Sequence, residues 1–162
     1  MKNKLACVVG VAMIVFGLSG CDKEQNSFID LCENSIKDQL RSPSGYKRID
    51  LSYQKNYLSP DQYILKRKQQ KESAELSQIQ IEALRDGSRK PVLFVANISY
   101  DAPNAFGTLV RNSATCDYLS KDGGLDQATK EDVRINGKNF YDRVDDFVDY
   151  AKKRYLKDQD GN

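Results

Sequence analysis

The 162-residue chain contains no histidine and no tryptophan, and only four prolines. Without histidine there is no Ser-His-Asp or Cys-His nucleophile, no imidazole general base and no His-ligated zinc. Net charge is nearly absent as well. Lys and Arg number 25 against 23 Asp and Glu. Two of those cations, Lys2 and Lys4, lie in an N-terminal leader that holds no acid, so the rest of the chain balances at 23 against 23. A polyanion binder needs a positive field, and no nucleic-acid partner is expected. No Gly-rich phosphate loop or G-x-S-x-G occurs. Asp122, Asp126, Glu131 and Asp132 crowd together but lack the alternating oxygen ligands of a calcium loop. No metal and no cofactor is expected. The longest apolar run, Leu5 to Ser19, covers 15 residues, short of the roughly 20 that span a bilayer.

What the leader does have is order. Lys2 and Lys4 give a positive start, the apolar run follows, and the segment ends in Leu18-Ser19-Gly20-Cys21. These residues resemble the lipobox of bacterial lipoprotein precursors, over the first 21 positions. The resemblance implies a signal peptide at 1–20, cleavage between Gly20 and Cys21, a diacylglyceryl thioether on Cys21, and fatty acylation (palmitate) of the new amino terminus. One acyl chain binds a membrane marginally, whereas several anchor it stably. Asp22 follows directly, and in enterobacterial lipoproteins an aspartate there implies retention at the inner membrane, on its periplasmic side, if the host is Gram-negative. Residues 21–26 read as a short tether, Asp22 to Asn26 reaching at most about 18 Å when extended. A single domain over 27–157 and a polar tail at 158–162 complete the organisation.

With Cys7 removed in the leader and Cys21 acylated, Cys32 and Cys116 remain. An exported pair is expected to form a disulfide. Their separation gives no redox C-x-x-C, and no histidine is present to complete a metal site.

Periodicity supplies the elements. Phe28, Leu31, Cys32, Ile36 and Leu40 share one helical face over 27–41, with Ser27 as its N-cap. Ile49, Leu51 and Tyr53 alternate as a half-buried strand within 46–53. Ser59-Pro60 opens a polar helix across 61–85, ended by Gly87. The alternation in Val92, Phe94, Ala96, Ile98 and Tyr100 marks the central strand, and 108–118 returns antiparallel to it. Asn136-Gly137 is a two-residue turn signal. Phe140, Val144, Phe147, Ala151 and Tyr155 mark a last amphipathic helix. The expected fold is α+β: a small antiparallel sheet of three or four strands, N- and C-terminal helices on one face, one inserted helix, and Cys32–Cys116 stapling the first helix to the sheet.

A second resemblance spans Cys32 to Cys116. The Cys32 helix, the Ser42-Pro43-Ser44 turn, the Asn104-Ala105-Phe106-Gly107 loop and the strand carrying Arg111 and Cys116 resemble small exported bacterial domains of unknown function. The polar insertion at 60–87 departs from that pattern. The resemblance implies the fold and the disulfide, and it carries no activity.

Three constellations remain. Asp142, Asp145, Asp146 and Asp149 precede Lys152, Lys153, Arg154 and Lys157 on the last helix, in the order the macrodipole favours on a solvated face. Lys66, Arg67, Lys68 and Lys71 could meet anionic headgroups or simply be solvated. Asn104, Phe106 and Arg111 could form a recognition loop, although turn chemistry with a buried Phe106 is the favoured expectation. No catalytic residues are marked. A non-enzymatic binding or inhibitory module with an unidentified protein partner is expected, as in exclusion or immunity. The alternatives are an envelope hydrolase using carboxylates and a structural accessory subunit of an envelope complex.

Overall fold

The computed structural model describes the backbone of residues 19–70 and 76–160, and the side chains of 23–70 and 76–157. Residues 1–18 of the expected signal peptide, 71–75 with Lys71 of the basic run, and 161–162 of the expected tail lie outside the described residues, as do the side chains of Ser19, Cys21, Asp22 and residues 158–160. The chain is α+β, with a four-stranded antiparallel sheet in the order β1-β2-β3-β4 and one disulfide. In sequence these elements are α1 (Ser19–Lys37), β1 (Lys47–Tyr57), α2 (Pro60–Gln69), α3 (Gln78–Arg85), β2 (Val92–Pro103), β3 (Leu109–Ser120), β4 (Arg134–Ile135) and α4 (Phe140–Asp160). Among the described residues, no helix is long and apolar enough to cross a membrane.

Helix α1 starts eight residues before the expected Ser27. Ser27 is no cap: its hydroxyl donates to the Lys23 carbonyl at 2.9 Å, from inside the helix. The expected extended tether is therefore helical, and Asp22 to Asn26 rises about 8 Å rather than 18 Å. The helix also ends at Lys37, before the expected Arg41. Phe28, Cys32 and Ile36, one turn apart, are fully or almost fully buried. They press on Phe94, Ala96 and Ile98 of β2 and Ala114 and Cys116 of β3. The Phe28 ring lies 5.6 Å from Phe94 and 6.1 Å from Tyr53. Cys32 and Cys116 stand 5.9 Å apart at Cα, bonded through that contact.

Strand pairing explains which residues reach this layer. Leu51 and Tyr53 oppose Ile98 and Ala96, and Ala96 in turn opposes Cys116. Ile49 was expected to join them. The register slips between Arg48 and Asp50, leaving Ile49 unpaired at a bulge and 39% exposed. An extra residue in one strand breaks the period of two. On the opposite face, Ser52, Asn97 and Thr115 form an exposed ladder: Asn97 donates to Ser52 Oγ at 3.3 Å, and Thr115 donates to Asn97 Oδ1 at 2.9 Å. One wet face is the usual condition of an antiparallel sheet.

The inserted helix is two helices. Ser59 caps α2 with Pro60 at N1 and a reciprocal bond from Gln62. Ser77 caps α3 in the same way with Gln80. A new cap starts a new helix, and this second Ser-x-x-Gln signature interrupts the expected 61–85 element. Tyr63 and Leu84 are buried. Gln70 donates to Asp117 Oδ2 at 2.8 Å, tying α2 to β3. The basic run does not present one face: Lys66 and Arg67 are half-buried, Arg67 lies 6.0 Å from the Tyr63 ring, and Lys68 alone of the described members is exposed.

Asn136 and Gly137 both adopt positive φ, 52° and 82°, as the turn signal requires. Helix α4 follows, capped by reciprocal bonds between Asn139 and Asp142. It was expected to pack its apolar side on the sheet. Instead every residue from Val144 to Lys157 is exposed. The sheet face that it would cover already holds α1, pinned by the disulfide.

Candidate recognition surface

Strands β2 and β3 form one hairpin, in unbroken register from Val92↔Ser120 to Pro103↔Leu109. Its lower half lies in the core. From Leu109 to Ser113 the returning strand is exposed, while on the outgoing strand Ala102 is buried and Pro103 lies against Gly45. The loop is held by Asn104. Its side-chain oxygen accepts from the Phe106 N–H at 2.9 Å and the Thr108 N–H at 3.0 Å, while its own N–H donates to the Thr108 carbonyl at 2.9 Å. Gly107 takes φ of 80°, a conformation that glycine adopts without the steric cost other residues meet. Below the loop, Arg111 grips Asp101 with two parallel bonds, Nε to Oδ1 at 2.8 Å and Nη2 to Oδ2 at 3.0 Å. These residues are register partners across the hairpin. The bonds from Arg111 hold the Asp101 carboxyl below the usual carboxylate range.

Asn104 and Arg111 are thus the frame, and Phe106 is what they display. Phe106 was expected to be buried; it is 92% exposed. Beside it Leu109 is 64% exposed and Val110 39%. Leu109 and Val110 carried no signal in the sequence beyond being apolar next to a turn. Closing the root of the hairpin, the Tyr46 and Tyr100 rings lie 5.1 Å apart, and burial together with the neighbouring Glu33 charge pushes the Tyr46 hydroxyl well above its ordinary pKa. A framed loop with an apolar tip suits protein recognition: aromatic anchors carry much of the energy of such contacts, and a rigid loop loses little entropy on binding.

Two ion pairs fix the direction of α1 against this hairpin. Glu24 meets Lys55 at 2.6 Å, beside Phe94. Glu33 meets Arg48 at 3.0 Å, beside Tyr100. The helix therefore runs toward the hairpin tip, and its N-terminal end lies at the far end of the sheet. From the level of Phe94 to Pro103 is nine residues, about 30 Å of strand.

No protein-family model, curated protein or solved structure matches this chain. The assignment of a site rests on its own geometry.

A second concavity, about 470 Å³, is polar and is lined by Tyr63, Arg67, Gln70, Arg134, Tyr141 and Asp142 among others. Its acids are engaged. Asp142 caps α4 and pairs with Arg134 at 3.0 Å. Asp132 accepts from the Thr129 hydroxyl and N–H. Next to the cleft, Asp117 has its pKa raised by burial, against the opposing pull of Lys66, Arg134 and Gln70. Among the described residues no three Cys, Asp or Glu side chains gather as a metal site.

Asp117 gives a pH-dependent prediction. Its folded pKa lies above its unfolded one, so the native state binds the proton more tightly. Stability falls as pH rises from the ordinary carboxylate range through the raised value, and stays at its lower level above it. Asp117→Asn keeps an acceptor for Gln70 and never ionises. We expect a higher melting temperature for the variant at neutral pH and no difference near pH ~3, where Asp117 is protonated in both states. Parallel melting curves across pH would refute this.

Proposed function

We propose that this protein is a membrane-anchored bacterial lipoprotein whose domain serves as a non-enzymatic binding or inhibitory module on the periplasmic face of the inner membrane. Its partner would be a protein, met through Phe106, Leu109 and Val110 at the hairpin tip. One observation carries the reading: a fully exposed phenylalanine on a loop locked by Asn104 and braced by Arg111 and Asp101. A rigidly displayed aromatic is the kind of side chain that anchors a protein contact. The membrane half rests on the lipobox Leu18-Ser19-Gly20-Cys21 with Asp22 behind it. The direction of α1 supports both halves together, because an anchor at Cys21 would leave the tip pointing away from the lipid. Exclusion of an incoming macromolecule and immunity to a toxin are two tasks such a module performs.

The test is photo-crosslinking in intact envelopes, with a benzophenone side chain at Phe106 and, as control, at Asn97 on the wet sheet face. The expected outcome is a discrete adduct from position 106 that disappears with Leu109→Asp and is absent from position 97. Equal labelling from both positions, or none from 106, refutes the reading. The carboxylate-hydrolase reading has Asp117 beside the polar cleft in its favour. It would take over if Asp117→Asn abolished function in cells while Phe106→Ala preserved it. Stoichiometric co-purification with an envelope complex, insensitive to Phe106→Ala, would favour an accessory subunit.

A further inference from the structure

Helix α4 exposes a stripe of apolar residues to solvent. Val144, Val148, Ala151 and Tyr155 follow one another at spacings of four, three and four, flanked by Phe140 and Phe147. That is the seam of a coiled coil. All six residues are exposed, Phe147 at 68% and Tyr155 at 66%. Charge is split along the same helix. Asp142, Asp145, Asp146 and Asp149 dominate its first half, with Arg143 the one cation there, and Lys152, Lys153, Arg154 and Lys157 dominate its second, ahead of Asp158 and Asp160 at its end. Asp142 and Asp146 are taken by Arg134 and Lys138. Asp145, Asp149, Lys152 and Lys153 make no ion pair among the described residues.

We propose that α4 is the surface through which two copies of this chain pair, with the helices antiparallel about a two-fold axis between Asp149 and Tyr150. In that register Val144 of each copy meets Tyr155 of the other, and Val148 meets Ala151. Both apolar matches follow from a single alignment. The same alignment brings Asp145, at the edge of the seam, beside Lys152 of the second copy, twice over by symmetry. The acidic half of each helix lies on the basic half of its mate, as an isologous contact requires of a self-complementary surface. Parallel pairing would set acid on acid and base on base. The start of α4 also has a seat for the arriving ring. An open groove of about 320 Å³ is lined there by Phe140, Val144 and Phe147 with Ser35, Gln39 and Arg143, opposite Tyr155 of the second copy. A lipid surface fits this helix less well. A membrane-lying helix flanks its apolar face with cations, and four aspartates in the first half would repel anionic headgroups.

Sedimentation equilibrium of the full chain in density-matched detergent tests the proposal by charge exchange. The wild type is expected to be in monomer–dimer equilibrium. Asp145→Lys and Lys152→Asp, each alone, place like charges together at two symmetric points and should weaken the dimer about tenfold. The double variant restores opposite charges across the seam and should return to within about threefold of wild type. Val148→Lys should leave only monomer. All three positions are exposed, and circular dichroism with an intact Cys32–Cys116 bond checks the fold of each variant. A wild-type chain that stays monomeric at ~100 μM, a dimer indifferent to both single changes, or a double variant no better than either single overturns the proposal. A monomeric chain that binds anionic vesicles, and loses them with Val148→Lys, would assign α4 to lipid instead.

Discussion

Replacing Cys32 and Cys116 together by alanine is expected to lower stability by about 4 kcal/mol and the melting temperature by roughly 10 °C or more. The bond joins residues 84 apart in sequence, and closing a loop of that length removes much of the freedom of the unfolded chain. It also joins α1, which packs on the core face of the sheet, to the middle of β3. What holds α1 without it is the burial of Phe28, Ile29 and Ile36 and the pairs Glu24–Lys55 and Glu33–Arg48. Those pairs are partly exposed and worth little each. Both cysteines are fully buried, so a reduced wild type keeps two well-packed thiols and loses only the cross-link. Comparing reduced wild type with the double alanine variant separates the cross-link from the small cavities that alanine leaves. Hydrogen exchange should show α1 opening first in either. A loss under about 1 kcal/mol would mean that the apolar face of α1 alone fixes it.

That staple was legible because composition isolates it: few cysteines, and in front of them a leader that resembles an export signal. The β2–β3 hairpin was legible through alternation, and the Asn136-Gly137 turn through its demand for positive φ at both residues. Other features follow from forces that leave weaker marks. The early start of α1 is hidden because Ser19 to Cys21 also resemble the end of a lipobox, which reads as a cleavage site rather than as a helix. The bulge at Ile49 is invisible to a rule of alternation, because the rule assumes that no residue is skipped. The break before α3 was written in Ser77-x-x-Gln80, a signal as clear as the one at Ser59. Phe106 could not be placed from its neighbours. Asn104 and Gly107 make the same turn whether the aromatic folds under or stands out. The decision falls to what the loop meets past the end of the sheet, and Phe106 meets nothing there that buries it. Helix α4 shows the converse. Its periodicity announces a face that needs a cover but says nothing of where the cover comes from.

The anchor has the largest expected effect. Wild-type protein expressed in a Gram-negative bacterium should carry an added mass of about three fatty-acyl chains on a chain beginning at Cys21, and partition wholly with membranes. Cys21→Ser removes the thiol that accepts the first lipid, and the acyl mass should vanish entirely. The Cys32–Cys116 bond should persist in the variant, seen as a mass gain of about two hydrogen atoms on reduction. The position of Cys21 then decides how the domain is presented. Helix α1 runs unbroken from Ser19 to Lys37, so no extended spacer intervenes between Cys21 and the folded domain. A helical connection is stiff over this length, and the anchor end of α1 lies at the opposite end of the sheet from Phe106. An acylated chain would carry its exposed apolar tip on the order of 30 Å above the level of Glu24, facing whatever approaches the membrane. An unacylated wild type would remove the lipid from this arrangement. Cys21 would then be a third exported thiol in competition with Cys32 and Cys116, and the crosslinks sought at Phe106 would have to be sought in the soluble periplasm.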